Sequence, residues 1–408
     1  MNCRFCQNPL TRIFIDLGES PPSNSYLTAA QLSEPEPSYP LRVFVCDKCF
    51  LVQIDEYKKA AEIFDKNYAY FSSFSKTWLD HAEKYVDMMC GRFGYNENSK
   101  VIEIASNDGY LLQFFREKNI PALGIEPTLS TAQAARQKGI ETWTEFFGAE
   151  FARALAGKNW QADLLLGNNV LAHVPDINDF VAGLKIALKP GGVITMEFPH
   201  LLQLVENNQF DTIYHEHFSY LSLYSVRQIF AAQGLDIFDV EELSTHGGSL
   251  RIFAGHSEDT SREISAGVEN LLVKEREHGL TKPGYYLNFQ SRADKIRDDL
   301  LAFLSLQKQN GKKVVAYGAA AKGNTLLNYC GIKTDMIEFV VDASPHKQGL
   351  FLPGSHIPVV DESFIKRIRP EFVLILPWNI KREIIEQLDY IREWNGRFLT
   401  AVPNLQEG

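Results

Sequence analysis

The chain has 408 residues and a formal net charge of −10, and at roughly 100–200 residues per domain its length predicts two to four domains. Its 45% apolar and 23% charged residues, with 27 glycines and 18 prolines, exclude collagen-like and low-complexity classes. The acidic balance without a basic stripe argues against nucleic acid as a partner. With no long uncharged apolar run and no leader-like start, a cytoplasmic protein without membrane association is expected.

The first motif is a pair of pairs. Cys3-x-x-Cys6 and Cys46-x-x-Cys49 could complete a four-sulfur tetrahedral shell suited to one structural Zn²⁺ with no open coordination position. Residues 7–45 must fold back between them, and Pro21-Pro22-Ser23-Asn24 and Pro35-Glu36-Pro37 supply turn signals. The competing readings are a redox dithiol, which needs one pair, and two disulfides, which a chain without a signal peptide disfavours. Cys90 and Cys330 stand alone and read as small buried hydrophobes.

A helix is expected around 74–90. Tyr68 and Tyr70 just before it could line a cofactor pocket or be ordinary core aromatics. Lys100–Ala105 then reads as a buried parallel strand carrying Glu103, followed by the turn Ser106-Asn107-Asp108-Gly109 and a helix over 110–117. Further strands are expected at 122–125, ending at Glu126, at 162–167, running into Asn168-Asn169, and at 192–197 after the turn Lys189–Gly192. Alternating strands and helices predict a doubly wound Rossmann-like sheet with ligands at the strands' C-terminal ends. Glu126 is positioned for a ribose diol. The first turn lacks G-x-G-x-x-G and keeps only Gly109, which leaves little provision for a pyrophosphate and weakens an NAD reading. The order strand, acid, turn, second acid, Leu-Lys-Pro-Gly-Gly looks like a class I methyltransferase, with Glu103, Asn107, Gly109, Glu126 and Asn168 as candidates for S-adenosylmethionine.

The densest chemistry is Asp211-Thr212-Ile213-Tyr214-His215-Glu216-His217, which offers general acid, base and electrostatic groups within four residues. If extended, the segment would put His215 and His217 on one face. His-x-His with a carboxylate could bind a metal but lacks clear further ligands, and a structural reading stays open. His173 and His246, the latter before Gly247-Gly248, are further candidates.

Residues 260–308 carry charge at helical spacing and read as long connecting helices. Strands are then expected at 313–317, 337–342 and 372–376, ending at Tyr317-Gly318, Asp342 and Pro377-Trp378-Asn379, in a second Rossmann-like unit. Gly318 to Gly323 would let backbone amides approach a phosphate with Lys322 supplying charge, unless the small residues only allow close packing. Lys322, Asp342 and Asn379 are the substrate-binding candidates of this unit.

With these motifs in view, the chain resembles the sugar C-methyltransferases of deoxysugar biosynthesis over essentially its whole length. The likeness rests on both cysteine pairs, Glu103–Gly109, Tyr214-His215-Glu216-His217, Thr245–Arg251 and Tyr317–Gly323. It implies a zinc-binding domain over 1–65, an S-adenosylmethionine-dependent methyltransferase domain over 66–285 and a Rossmann-like nucleotide-sugar-binding domain over 286–408. The implied reaction is methylation at C-3 or C-5 of a small-molecule substrate, a dTDP-linked 4-keto-deoxysugar, through an enolate. The resemblance assigns His217 as base, Tyr214, His173 and Glu216 as enolate-stabilising or orienting groups, and Asn169 to the sugar; His246 is a further substrate-binding candidate. A monomer suffices if the chain encloses its own site. The alternatives are an NAD-dependent nucleotide-sugar oxidoreductase and a non-enzymatic zinc-ribbon binding protein.

Overall fold

A computed structural model describes residues 1–59 and 71–408. The N-terminal segment forms β1 (Arg12–Ser20), β2 (Tyr39–Val45) and β3 (Val52–Ile54) in an antiparallel sheet, joined on the β3 edge by β9 (Ser219–Tyr220). Pairing of β3 with β9 carries the residues just before β9 onto the cysteine-bearing segment, since Ile54 N–H also donates to Phe218 O (3.1 Å).

The central sheet contains β4 (Val101–Ile104), β5 (Ala122–Ile125), β6 (Glu141–Trp143), β7 (Ala162–Asn168), β8 (Leu188–Pro199), β10 (Leu235–Leu243) and β11 (Ser249–His256), in the order β10-β11-β8-β7-β4-β5-β6. Strands β4 to β8 are mutually parallel, and the apolar runs of β4, β5, β7 and the second half of β8 are largely buried, as inner strands covered on both faces require, whereas the edge strand β6 leaves Glu141 exposed. The chain leaves β4 toward β5 and returns on the other side as β7, so the switch point, where ligands bind, lies between the C-terminal ends of β4 and β7. The turn expected at Lys189–Gly192 is an excursion within β8: Leu188 pairs with Ala162 and Val193 with Leu164, leaving the residues between outside the ladder. The helix expected around 74–90 runs from Lys76 to Phe93. Ser75 caps its start, accepting from Trp78 N–H, and Gly94 ends it in a left-handed conformation.

The third sheet, β12 (Val314–Tyr317), β13 (Val340–Val341), β14 (Val359–Val360), β15 (Phe372–Ile375), β16 (Arg397–Thr400) and β17 (Gln406–Glu407), has the order β14-β13-β12-β15-β16-β17. Its parallel part repeats the central topology, with a switch point between β12 and β15. Strand β13 is shorter than the expected 337–342, because residues 337–339 approach it as irregular chain. The charged stretch forms helices Ala266–His278 and Phe289–Gln309. The second packs its Phe289 ring flat on Phe14 of β1 (centroids 4.6 Å) and shares one apolar core with both flanking sheets. Rigid packing of this kind fixes the sheets relative to one another.

Candidate active site

A cavity of about 370 Å³ opens at the central switch point and reaches the first turn of the third sheet. One wall is the turn after β4, where Ala105 and Asn107 take positive φ (55° and 50°). Glu126, at the end of β5, clamps this turn by accepting Asn107 N–H (2.9 Å) and Thr128 N–H (2.8 Å). Gly109 does not line the cavity. At φ 75°, a Cβ on it would lie 2.3 Å from Ile140 Cδ1, so it lets the turn close onto its neighbours. Glu103 also lies behind the lining, buried and bonded to Tyr110, whose hydroxyl accepts Asn168 Nδ2–H (3.3 Å).

Burial pushes the carboxyls of Glu103 and Glu126 above their usual range. The second oxygen of Glu103 has no protein partner among the described residues. Glu126, by contrast, lines the cavity together with Asn107 and Asn168, so a strand-end carboxyl faces the space where the ribose diol of S-adenosylmethionine would be held. Phe146 at 48% exposure and Phe147 offer apolar ring surface to a flat heterocycle on the same cavity. The residues present therefore fit that cofactor.

The opposite wall is the segment Thr212–His217. It is a turn rather than a strand, closed by His217 N–H to Tyr214 O (2.9 Å), so His215 and His217 do not share a face. His215 turns toward the carbonyls of Tyr39 and Pro40 (both 3.3 Å) and leaves the site, which removes the His-x-His metal reading. His217 Nδ1 donates to Thr212 O (2.8 Å); its Nε2 must then be the acceptor, taking the Tyr214 hydroxyl proton at 2.8 Å. Burial, and then His173, holds the His217 imidazole well below its usual pKa and hence neutral. The His173 ring stands edge-on to it (centroids 4.6 Å); burial holds His173 at about 4, against a hydrogen bond to the Glu216 main chain.

Glu216 lines the cavity fully desolvated, which pushes its carboxyl up to about 7, while Asn24 Nδ2 donates to both oxygens (2.7 and 2.9 Å) and pulls the other way. Asn169, at positive φ (55°), donates from Nδ2 to His246 Nε2 (2.9 Å). Its Oδ1 is buried without a protein partner among the described residues, as a contact for a substrate hydroxyl would be. Burial and then Lys322 hold His246 at about 4.

From the third sheet, Lys322 and Lys347 line the same cavity. Lys322 donates to Asn379 Oδ1 (2.7 Å) and lies over the Trp378 ring (4.6 Å). Asn379 thus acts on the cavity through Lys322 rather than by lining it. Two amides of the expected cradle at Gly318–Gly323 are engaged within the protein, while Ala320, Ala321 and Lys322 line the cavity. Ala319 N–H is taken by Asp342 Oδ2 and Ala320 N–H by Gly318 O (both 2.8 Å). A Cβ on Gly318 would meet Pro377 at 2.4 Å and one on Gly323 would meet Leu376 at 2.8 Å, so these glycines serve close packing. Asp342 is likewise a clamp. It accepts from Ala319 and Ser344 N–H as Glu126 accepts from Asn107 and Thr128, at the equivalent point of the repeated topology.

The four cysteines Cys3, Cys6, Cys46 and Cys49 converge, with all Sγ atoms within 4.8 Å of one another and the pairs 3–49 and 6–46 at 3.5 Å. A Zn–S bond of about 2.3 Å implies sulfurs about 3.8 Å apart on a tetrahedron, so the set fits that ion. Gln53 Nε2 donates to Cys3 Sγ (3.2 Å), a contact that orients a ligating sulfur. Cys90 and Cys330 lie elsewhere, and burial pushes both thiols up, Cys330 to about 12, as inert packing residues require.

Tyr68 and Tyr70 lie outside the described residues. Asn24, Tyr110 and Lys347 were not singled out from sequence. Asn24 sits in a stretch read only as a turn, Tyr110 opens a helix read for its boundary, and Lys347 belongs to a loop between strands. None has a motif, and only the fold brings them to the cavity.

Three family descriptions match in succession: a candidate zinc binding domain over residues 3–64, a methyltransferase domain over 81–240 and a C-methyltransferase C-terminal domain over 244–403. The chain is 33% identical to the C-methyltransferase NovU of Streptomyces niveus over 401 residues, 98% of this chain and 95% of that protein. A stretch of 99 residues, 24% of this chain and 39% of the relative, is 27% identical to a ubiquinone biosynthesis O-methyltransferase of Chelativorans sp. (strain BNC1). Among solved structures, magnesium protoporphyrin IX methyltransferase (ChlM) from Synechocystis PCC 6803 with bound SAM aligns at TM-score 0.33 and 14% identity, covering 43% of this chain and 78% of that one.

Proposed function

The chain belongs to the C-methyltransferase family, and from that premise we propose that it methylates C-3 or C-5 of a dTDP-4-keto-deoxysugar through a base-generated enolate. The observation that carries this reading is one cavity lined by the turn after β4, by Tyr214, Glu216 and His217, and by two lysines. A carbon acid, a methyl donor and a dianionic diphosphate need those three kinds of wall at once. Family membership favours C-methylation over the NAD-dependent and non-enzymatic alternatives.

A sugar C–H is too weak an acid to lose its proton unless a neighbouring carbonyl turns the carbanion into an enolate. S-adenosylmethionine supplies, when bound, an electrophilic methyl group. Asn107, Glu126 and Asn168 hold it at the first turn, with Glu103 behind them. His217 Nε2 takes the ring proton; its Nδ1–H, tied to Thr212 O, fixes the tautomer that leaves Nε2 basic. Tyr214 changes partner, giving up Nε2 and donating to the enolate oxygen. Glu216 works as a carboxylate, balancing the imidazolium that forms on His217. His173 packs against His217 and keeps its ring in place. Asn169 and His246 hold the sugar, and Lys322 and Lys347 hold the diphosphate, with Asn379 and Asp342 fixing Lys322 and the turn beside it. The four cysteines hold a structural Zn²⁺ away from this chemistry. The domain limits we propose are residues 65 and 285.

The test is hydrogen exchange in D₂O. The protein with a dTDP-4-keto-6-deoxysugar should exchange the proton at one of C-3 or C-5, and adding S-adenosylmethionine should place a methyl there. His217→Asn should lose both while still binding both ligands. Retained exchange in that variant refutes His217 as base, and NAD binding without S-adenosylmethionine binding refutes the whole reading.

A further inference from the structure

The Tyr214–His217 turn receives a contact from far outside its own sheet. Asn24, 192 residues earlier, directs Nδ2 at both Glu216 oxygens (2.7 and 2.9 Å), and both residues line the cavity. Its segment is fastened on each side. Ser25 N–H closes a turn onto Pro22 O (3.0 Å), and Leu27 exchanges main-chain hydrogen bonds with Phe351 (3.0 and 2.8 Å). Buried Asn324 Nδ2 donates to Ser23 O (2.6 Å), and the Tyr26 hydroxyl donates to Ala319 O (2.5 Å). A surface loop would need none of these anchors. Together they hold one carboxamide still against one buried carboxylate.

We propose that Asn24 is a positioning residue of the methylation site, holding both oxygens of the Glu216 carboxylate in the orientation used beside His217. This rests on the role given to Glu216 above. An amide N–H shared by both oxygens favours the ionised carboxylate, since a protonated acid would present a donor at one of them. The other groups facing Glu216 are the Lys58 ammonium, which favours the same charge state, and the Tyr26 phenol, whose own pKa burial raises; His173 meets only the Glu216 main chain.

The test compares wild type, Asn24→Ala, Glu216→Gln and the double variant. Asn24→Ala should lower kcat by roughly 10- to 100-fold, the worth of one hydrogen bond to a charged group, with KM for both substrates little changed. Its acid limb in the pH–rate profile should move up by about one to two units. In the Glu216→Gln background the same substitution should cost no more than about twofold, because it acts only through that carboxylate. Losses that multiply, or an unmoved acid limb, overturn the proposal. Asn24→Asp is nearly isosteric and guards against misfolding; two opposed carboxylates should move the limb higher still, and a profile overlaying wild type overturns the proposal. Infrared titration of the Glu216 carboxyl in the ligand-free protein, assigned by Glu216→Gln, reads the same contact without turnover. A midpoint unmoved in Asn24→Ala refutes the Asn24 role. A moved midpoint in a protein that methylates no 4-keto sugar supports the contact and refutes the function.

Discussion

Acidifying the reaction from pH 8 to pH 6 should slow methyl transfer about tenfold through one group. Glu216 titrates at about 7, because burial opposes its charge. Its ionised fraction therefore falls from about 90% to about 9% across that range, and a step that needs the carboxylate falls with it. His217 is held well below its usual value, so it stays neutral throughout and adds no limb of its own. The sign for stability follows separately. A carboxyl raised from 4.5 to about 7 in the folded state makes a contribution fully present below pH 4.5 and lost as pH rises through 7. At pH 8 the buried charge thus costs the ligand-free protein about 3 kcal/mol, from about 1.4 kcal/mol per unit. Glu216→Gln should recover part of that at pH 8 and nothing at pH 4.5. The assays are initial rates at saturating substrates and denaturant midpoints, each across pH 4.5–8. A wild-type rate flat from pH 6 to 8, or an acid limb that survives in Glu216→Gln, refutes the role given to Glu216.

Three further outcomes follow from the geometry. Purified protein should carry one zinc per chain, and Cys46→Ser should lose it. Metal release should also unravel β1–β3 and abolish turnover, because a binding free energy of about 10 kcal/mol or more is comparable to a whole domain's stability; metal analysis, circular dichroism and rates decide, and an active zinc-free protein contradicts it. Gly109→Ala should destabilise by roughly 2–4 kcal/mol, combining a left-handed alanine with overpacking against Ile140, as thermal or denaturant unfolding would measure. Lys322→Met and Lys347→Met should each raise KM for the nucleotide sugar by roughly tenfold or more and leave S-adenosylmethionine affinity, measured calorimetrically, unchanged.

Much of the fold was legible because its signals are local. Runs such as Val101–Ile104 and Leu164–Leu166 read as buried parallel strands from composition alone, and the cysteine pairs announce their own convergence through spacing. Glu126 was readable as a strand-end acid. That it clamps the turn after β4, and that Asp342 repeats the clamp in the second unit, depends on strand order. The glycines at 318 and 323 look like a phosphate cradle in sequence, and only the approach of Pro377 and Leu376 reveals them as packing positions. His215 and His217 looked equivalent at spacing two, until a turn sent one to the Tyr39 and Pro40 carbonyls and the other into the cavity.

What could be read from sequence alone was the set of candidate groups: four thiols spaced for one ion, a strand–acid–turn order of the methyltransferase kind, and a Tyr-His-Glu-His cluster proposed to move a proton. Each of those is a short-range pattern, readable because strand period, turn residues and ligand spacing act over a few positions. Which groups meet, and in what protonation state, follows only from the packed fold. Asn24 reaches Glu216 across 192 residues, and Lys347 joins Lys322 at one cavity. Burial and long-range contact set both pKa and orientation, and both are properties of the packed sheets rather than of any segment.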